Sequence, residues 1–277
     1  MNELDRKKTI GRVIAFSVLV TALAWIAPVL GGSPSSPGLG FILWGTAPLF
    51  VSLLIRAVTR DWSDLGIKPA IGKNLRWYLV SLLAFPVLMV LTLFVGVLLG
   101  LSSFTEFSLG KFLSTFLTAL PIFFIFAVFE EFGWRGYLSP KLDALGLNRF
   151  AASAIVGIVW ATWHMPFIRE LNWVYASSEP SLGVFIPRYT LLMFAFAILF
   201  GEIRNITGSV WPAVIMHAIL NSFGHPLDAE YVSYAGGMEF LGSIGTGLIL
   251  ILFVGLLGAI IHRWRLEHVR GTKVGFS

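Results

Sequence analysis

No cysteine occurs in the 277-residue sequence. That absence excludes disulfides, thiolate nucleophiles and Cys-ligated metal centres. Charge is scarce as well. Asp, Glu, Lys and Arg make up 13% of the residues, about half the share in a soluble domain. A water-soluble fold of this size could not cover itself with so little polar surface. What fills the space is apolar: 56% of the residues are hydrophobic and the mean hydropathy is +0.81. Hydrocarbon is the solvent that such a chain matches. Twenty-four Phe and ten Trp suit lipid contact and interface anchoring. The net charge of +5 does not point to nucleic acid, because the basic residues are spread between apolar runs.

The apolar runs predict spans at 13–30, 38–55, 77–100, 112–129, 150–165, 189–203, 209–223 and 242–261. About 20 helical residues cross the hydrocarbon core. The runs at 150–165, 189–203 and 209–223 are shorter and interrupted by polar residues, as expected of helices that line a cavity. Met165–Pro166 marks a helix end. The chain reads as one integral membrane domain over 1–277, all-α and polytopic, with about eight transmembrane helices. The first run follows Arg6, Lys7, Lys8 and Arg12 and precedes GGSPSSPG without a clear small-x-small cleavage pattern, so it is read as a retained span.

Charge then orients the spans. With both termini cytoplasmic, only Lys111, Arg169 and Arg188 of the 20 basic residues fall outside. This is a strong positive-inside bias, and it predicts a multi-pass protein of the plasma (inner) membrane with both termini cytoplasmic. Membrane lipids are its first expected partners. The segment 56–76 reads as an inner amphipathic connection, 166–188 as an outer segment that could cover a cavity mouth, and the basic tail as a headgroup anchor.

Three polar clusters lie at membrane depth, where ionisable groups are costly and usually kept for function. FEEFGWR supplies Glu130, Glu131 and Arg135 at the end of an uninterrupted apolar run. Glu131 and Arg135 are four apart and share a helical face, while Glu130 points about 100° away and stays free for another partner. WATWH supplies Trp160 and His164 on one face. HAILN stacks His217 and Asn221 at the same i,i+4 spacing. Each cluster alone is equally an interfacial ion pair, a hydrogen-bonded core histidine or interhelical polar glue. Together, on three different runs, they could supply a general base, a water-positioning partner and an oxyanion site. Zinc is the rival use of Glu and two His, but no HExxH pattern is present and no metal is expected. His225 reads as an outer-loop residue before Pro226, and His262 and His268 as part of the basic tail. Ser139 and Ser153 lack a GxSxG context.

The three clusters, in this order, resemble the EExxxR, FxxxH and HxxxN motifs of the CAAX protease and bacteriocin-processing (Abi) family, whose relatives include the type II CAAX prenyl endopeptidases. The resemblance covers about 120–224, a motif-bearing catalytic core. It departs from the family at Trp160, which stands where the family has Phe. It implies an eight-helix intramembrane fold with a cavity open toward the cytoplasmic side. It also implies a metal-independent, glutamate-dependent endopeptidase with no cofactor and no acyl-enzyme. On that basis Glu130 activates water, His164 positions it, His217 and Asn221 form the oxyanion site, and Glu131 with Arg135 orients them. Trp160 keeps the aromatic packing. The implied substrate is a peptide or lipidated protein. The alternative within the same fold is a non-proteolytic scaffold or a bacteriocin self-immunity protein. A transporter would be expected to show inverted repeats, and none is visible.

Overall fold

The computed structural model describes residues 1–33, 36–168 and 181–268. Arg169, most of the expected outer segment 166–188, and Arg270 and Lys273 of the basic tail lie outside the described residues.

In chain order the long elements are α1 (Glu3–Ile26), α2 (Leu39–Thr59), α3 (Ile71–Leu98), the strand β1 (Ser102–Phe104) and α4 (Leu109–Gly133). A short α5 (Ser139–Ala144), α6 (Arg149–His164), α7 (Leu182–Thr207) and α8 (Trp211–Tyr231) follow. The strand β2 (Val232–Tyr234), a single-turn α9 (Glu239–Gly242) and α10 (Leu248–His268) complete the chain. Local chemistry sets several helix starts. Asn2, Ser108, Asn148 and Ser181 each accept a first-turn backbone N–H through the side chain. Gly208 ends α7 in the left-handed conformation, which costs glycine little. The β1–β2 pair, antiparallel with Ser103 opposite Ser233, is a small clasp on an otherwise helical fold.

Among the described residues, seven helices are long and apolar enough to cross a membrane. The eighth long helix, α8, falls short in composition rather than length, because His217, Asn221, His225, Asp228 and Glu230 interrupt it. All eight expected spans therefore correspond to long helices, but their boundaries differ: α1 and α3 begin earlier than expected, α10 runs on to His268, and α4, α7 and α8 run past their expected ends. The run expected to end at 129 continues through a π-type turn at Trp134–Leu138 into α5, as one 36-residue helix Leu109–Ala144. Glu131 and Arg135 find partners inside the bundle, so the helix need not stop at an interface. α7 and α8 outrun the expected 189–203 and 209–223 because they carry Pro187 and Pro226 without breaking. A membrane helix tolerates proline where neighbouring groups re-satisfy the freed carbonyl. His225 consequently sits inside α8 and not in a loop.

α4 packs between α2 and α8, α6 against α7, α7 against α10, and α3 against α8 and α10, with α1 closing onto α2 and α6. Small residues permit the tightest crossings. A Cβ on Gly157 of α6 would lie 2.8 Å from the Phe194 backbone of α7, and one on Gly133 of α4 would lie 2.5 Å from Pro48 of α2.

The end of the bundle that holds the start of α1 and the end of α10 is closed by ion pairs. Asp61 meets Arg12 at 2.8 Å and Lys141 at 2.7 Å, and Asp64 meets Arg56 and Lys141, each at 2.7 Å. Arg204 donates to the backbone oxygens of Asp64 and Arg135. Glu202, fully buried, gathers Arg149, His262 and Arg265. These contacts tie α1, α2, α5, α6, α7 and α10 together at one level.

Candidate active site

The three sequence clusters converge in the interior. Glu130 and Glu131 lie near the end of α4, Trp160 and His164 on the last turn of α6, and His217 and Asn221 on successive turns of α8. All but the half-buried His164 are buried.

The Glu130 carboxylate is not free. Its Oε2 accepts from the Trp160 indole Nε1 at 2.8 Å and, less closely, from Trp134 Nε1 at 3.4 Å. Trp160 thus does more than pack, and Trp134 enters a site in which the sequence reading had no place for it. The i,i+4 spacing of Glu130 and Trp134 was the available signal.

Glu131 makes the pair expected with Arg135, at 3.0 Å through Nη1, and neither side chain is exposed. Arg135 also reaches the Phe196 carbonyl oxygen with Nη2 at 3.4 Å, and its guanidinium lies over the Trp160 and Phe200 rings at 4.4 and 4.6 Å. The same Glu131 Oε1 is 2.9 Å from His217 Nδ1. An ionised carboxylate only accepts, so Nδ1 carries a proton there. His217 Nε2 then points toward Glu130 Oε1, 3.9 Å away, which is too far for a direct hydrogen bond.

His164 Nδ1 is 3.0 Å from the Trp160 carbonyl oxygen and must donate to it, because a carbonyl has no proton to give. In the neutral ring this leaves Nε2 as an acceptor. The end of α6 is fixed by a reciprocal pair. Trp44 and Trp163 stack at 4.3 Å and each indole donates to the other residue's carbonyl, at 2.9 and 3.2 Å.

Glu130, Trp160, His164, His217 and Asn221 all line one cavity of about 770 Å³. Most of its wall is apolar, with Phe41, Ile122, Phe126, Leu192, Met193 and Phe196 prominent. His225, Asp228 and Thr246 lie toward its other end. No three His, Asp or Glu side chains among the described residues form a metal-holding group.

Residues 112–223 match the family described as type II CAAX prenyl endopeptidase Rce1-like. This segment is similar to that family over about two fifths of the chain. It contains every site residue named above except His225, Asp228 and Thr246 of the far wall and Phe41 and Trp44 of α2. A protein named CAAX prenyl protease 2, from Methanococcus maripaludis, is 37% identical over 98 residues, which is 34% of this chain. The match spans 35% of that relative's length. The Rce1-like segment thus coincides with the helices that build the cavity wall from α4 to α8.

Proposed function

We propose that this protein is a membrane-embedded endopeptidase that uses Glu130 as its general base. The observation that carries this reading is a buried carboxylate, held by two indole N–H groups, facing a cavity that His164, His217 and Asn221 also line. The similarity of residues 112–223 to the Rce1-like family supports the same class of reaction.

In the proposed reaction, water sits between Glu130 and the Nε2 acceptor of His164. Glu130 takes one proton of this water as its oxygen adds to the peptide carbonyl carbon. The carbonyl oxygen becomes an oxyanion and receives hydrogen bonds from the Asn221 amide and from His217 Nε2. With its Nδ1–H given to Glu131, His217 makes this donation as the imidazolium. The C–N bond then breaks, and the proton held by Glu130 passes to the departing amine. The products are a carboxylic acid and an amine, with Glu130 again ionised, and the acid gives up its proton once in water. Glu131 and Arg135 act on the substrate only through His217, so they are positioning residues. The largely apolar cavity wall suits a peptide with an apolar or lipidated portion.

The test is processing of membrane peptides in cells carrying wild-type protein or Glu130→Gln. Loss of processing with normal insertion is expected, and His164→Ala and His217→Ala should behave alike. Asn221→Ala should lower the rate on the order of 10²–10³-fold if it supplies one oxyanion donor. Activity is expected to persist in a strong chelator. Full processing by Glu130→Gln would overturn the peptidase reading, and chelator loss rescued by zinc would replace it with a metal mechanism.

A further inference from the structure

The direction in which the cavity opens conflicts with one pair of sequence expectations. From the buried carboxylate, the lining residues run along α8 from His217 to Asp228 and Ala229 and reach Gly245 and Thr246 before α10. On the other wall they run along α2 from Trp44 back through Phe41 to Pro37, ahead of its first turn. The twelve helical steps from His217 to Ala229 rise about 18 Å. All of these outer lining residues sit at the end of the bundle away from the start of α1 and the end of α10. Among the described residues, none of the cavity lining comes from the 56–76 connection, α5, or the α7–α8 turn.

The opposite end is closed by the Asp61, Asp64 and Glu202 ion pairs. It also holds the positive charge. Apart from Arg135 within the site, every described Lys and Arg lies at that end except Lys111 and Arg188. Cytoplasmic termini and a cavity open to the cytoplasm therefore exclude each other in this fold. The charge bias decides between them, because it is spread over five separate segments and each favours retention on the cytoplasmic side.

We infer that the cavity is loaded from the extracytoplasmic face, so that its substrate is a peptide segment on that side of the membrane and not a cytosolic lipidated tail. This rests on the peptidase reading above for the word substrate. The direction of access rests only on the cavity and the charges. An apolar shaft about 18 Å deep, entered between polar groups such as His225 and Asp228, suits a segment that brings apolar residues inward and leaves polar ones at the mouth.

The absence of cysteine makes the test clean. Ala229→Cys places a thiol at the mouth, and Lys73→Cys places one at the basic end. A membrane-impermeant maleimide applied to intact cells should label Ala229→Cys, and should label Lys73→Cys only after permeabilisation. The reverse pattern would overturn the inference while leaving the peptidase reading intact. In a second arm, quenched-fluorescent peptides with an apolar half are added to sealed right-side-out vesicles. Cleavage without permeabilisation, lost in Glu130→Gln, is the expected result. Cleavage only after permeabilisation would overturn the access route. No cleavage in either state counts against the peptidase reading, and the labelling pattern still decides the face.

Discussion

The indole of Trp160 donates to Glu130 Oε2 over 2.8 Å, joining α6 to α4 at the floor of the cavity. The hydrogen bond holds the carboxylate in one orientation, with Oε1 turned toward His217. It also explains why an aromatic ring alone does not describe this position. Phenylalanine would keep the packing against Phe196, Phe200 and His217 but would lose the donor.

Trp160→Phe is therefore expected to insert normally and to process more slowly. A hydrogen bond to a charged group contributes roughly 1.5–3 kcal/mol, and Trp134 remains to hold the same oxygen at 3.4 Å. A fall on the order of tenfold is expected, well short of the loss in Glu130→Gln. Processing rates of the two variants at matched membrane levels provide the comparison.

Glu131→Gln removes the charge shared by Arg135 and His217. A guanidinium with no exposed surface would then lose its ion-pair partner at 3.0 Å. Breaking a buried pair by removing one partner costs roughly 3–5 kcal/mol. The variant should show a lower unfolding temperature in detergent as well as lost activity. Arg135→Lys should not rescue the site, because one ammonium cannot span Glu131 and the Phe196 carbonyl as the planar fork does. Wild-type stability in Glu131→Gln would show that the pair contributes nothing net.

Gly157→Ala tests the packing that brings α6 to its depth. The added Cβ would sit 2.8 Å from backbone atoms of Phe194, which cannot rotate away. Overpacking of this kind costs about 1–3 kcal/mol. α6 must shift, and Trp160 and His164 shift with it. Lower thermal stability and lower activity are expected together. By contrast, Gly255→Ala on α10 meets open space and should be neutral in both measurements.

Asp61 connects the basic end to acid stability. Its hydrogen bond from Lys141 holds the carboxyl down, at about 2, with Ser63 and Arg12 acting in the same direction. An unfolded aspartate titrates near 3.9. A depressed folded value means that the stabilisation is present above about pH 4 and is lost as the pH falls toward 2. Asp61→Asn should be less stable than wild type at neutral pH, and the difference should shrink over that acid window. Unfolding temperatures of both proteins between pH 2 and pH 7 would show the convergence.

Read alone, the sequence determined the solvent, the secondary structure and the short-range pairs. Hydropathy is a sum over neighbours, so the eight spans were legible, and i,i+4 spacing placed Glu131 beside Arg135 before any helix was packed. The order of the three clusters was legible for the same reason. Helix ends were less so, since α4 and α8 run on where tertiary partners or a tolerated proline carry them. Only the tertiary structure decided what Glu130 touches, that Glu131 also engages a histidine 86 residues away, and which ring nitrogen of His164 faces the cavity. Each of these depends on the depth and rotation of one helix against another, which glycine contacts and the Trp44–Trp163 stack set and no local pattern encodes. The direction of the cavity belongs to the same class. Charge counts orient the helices in the membrane, but only their packing shows at which end the space between them was left open.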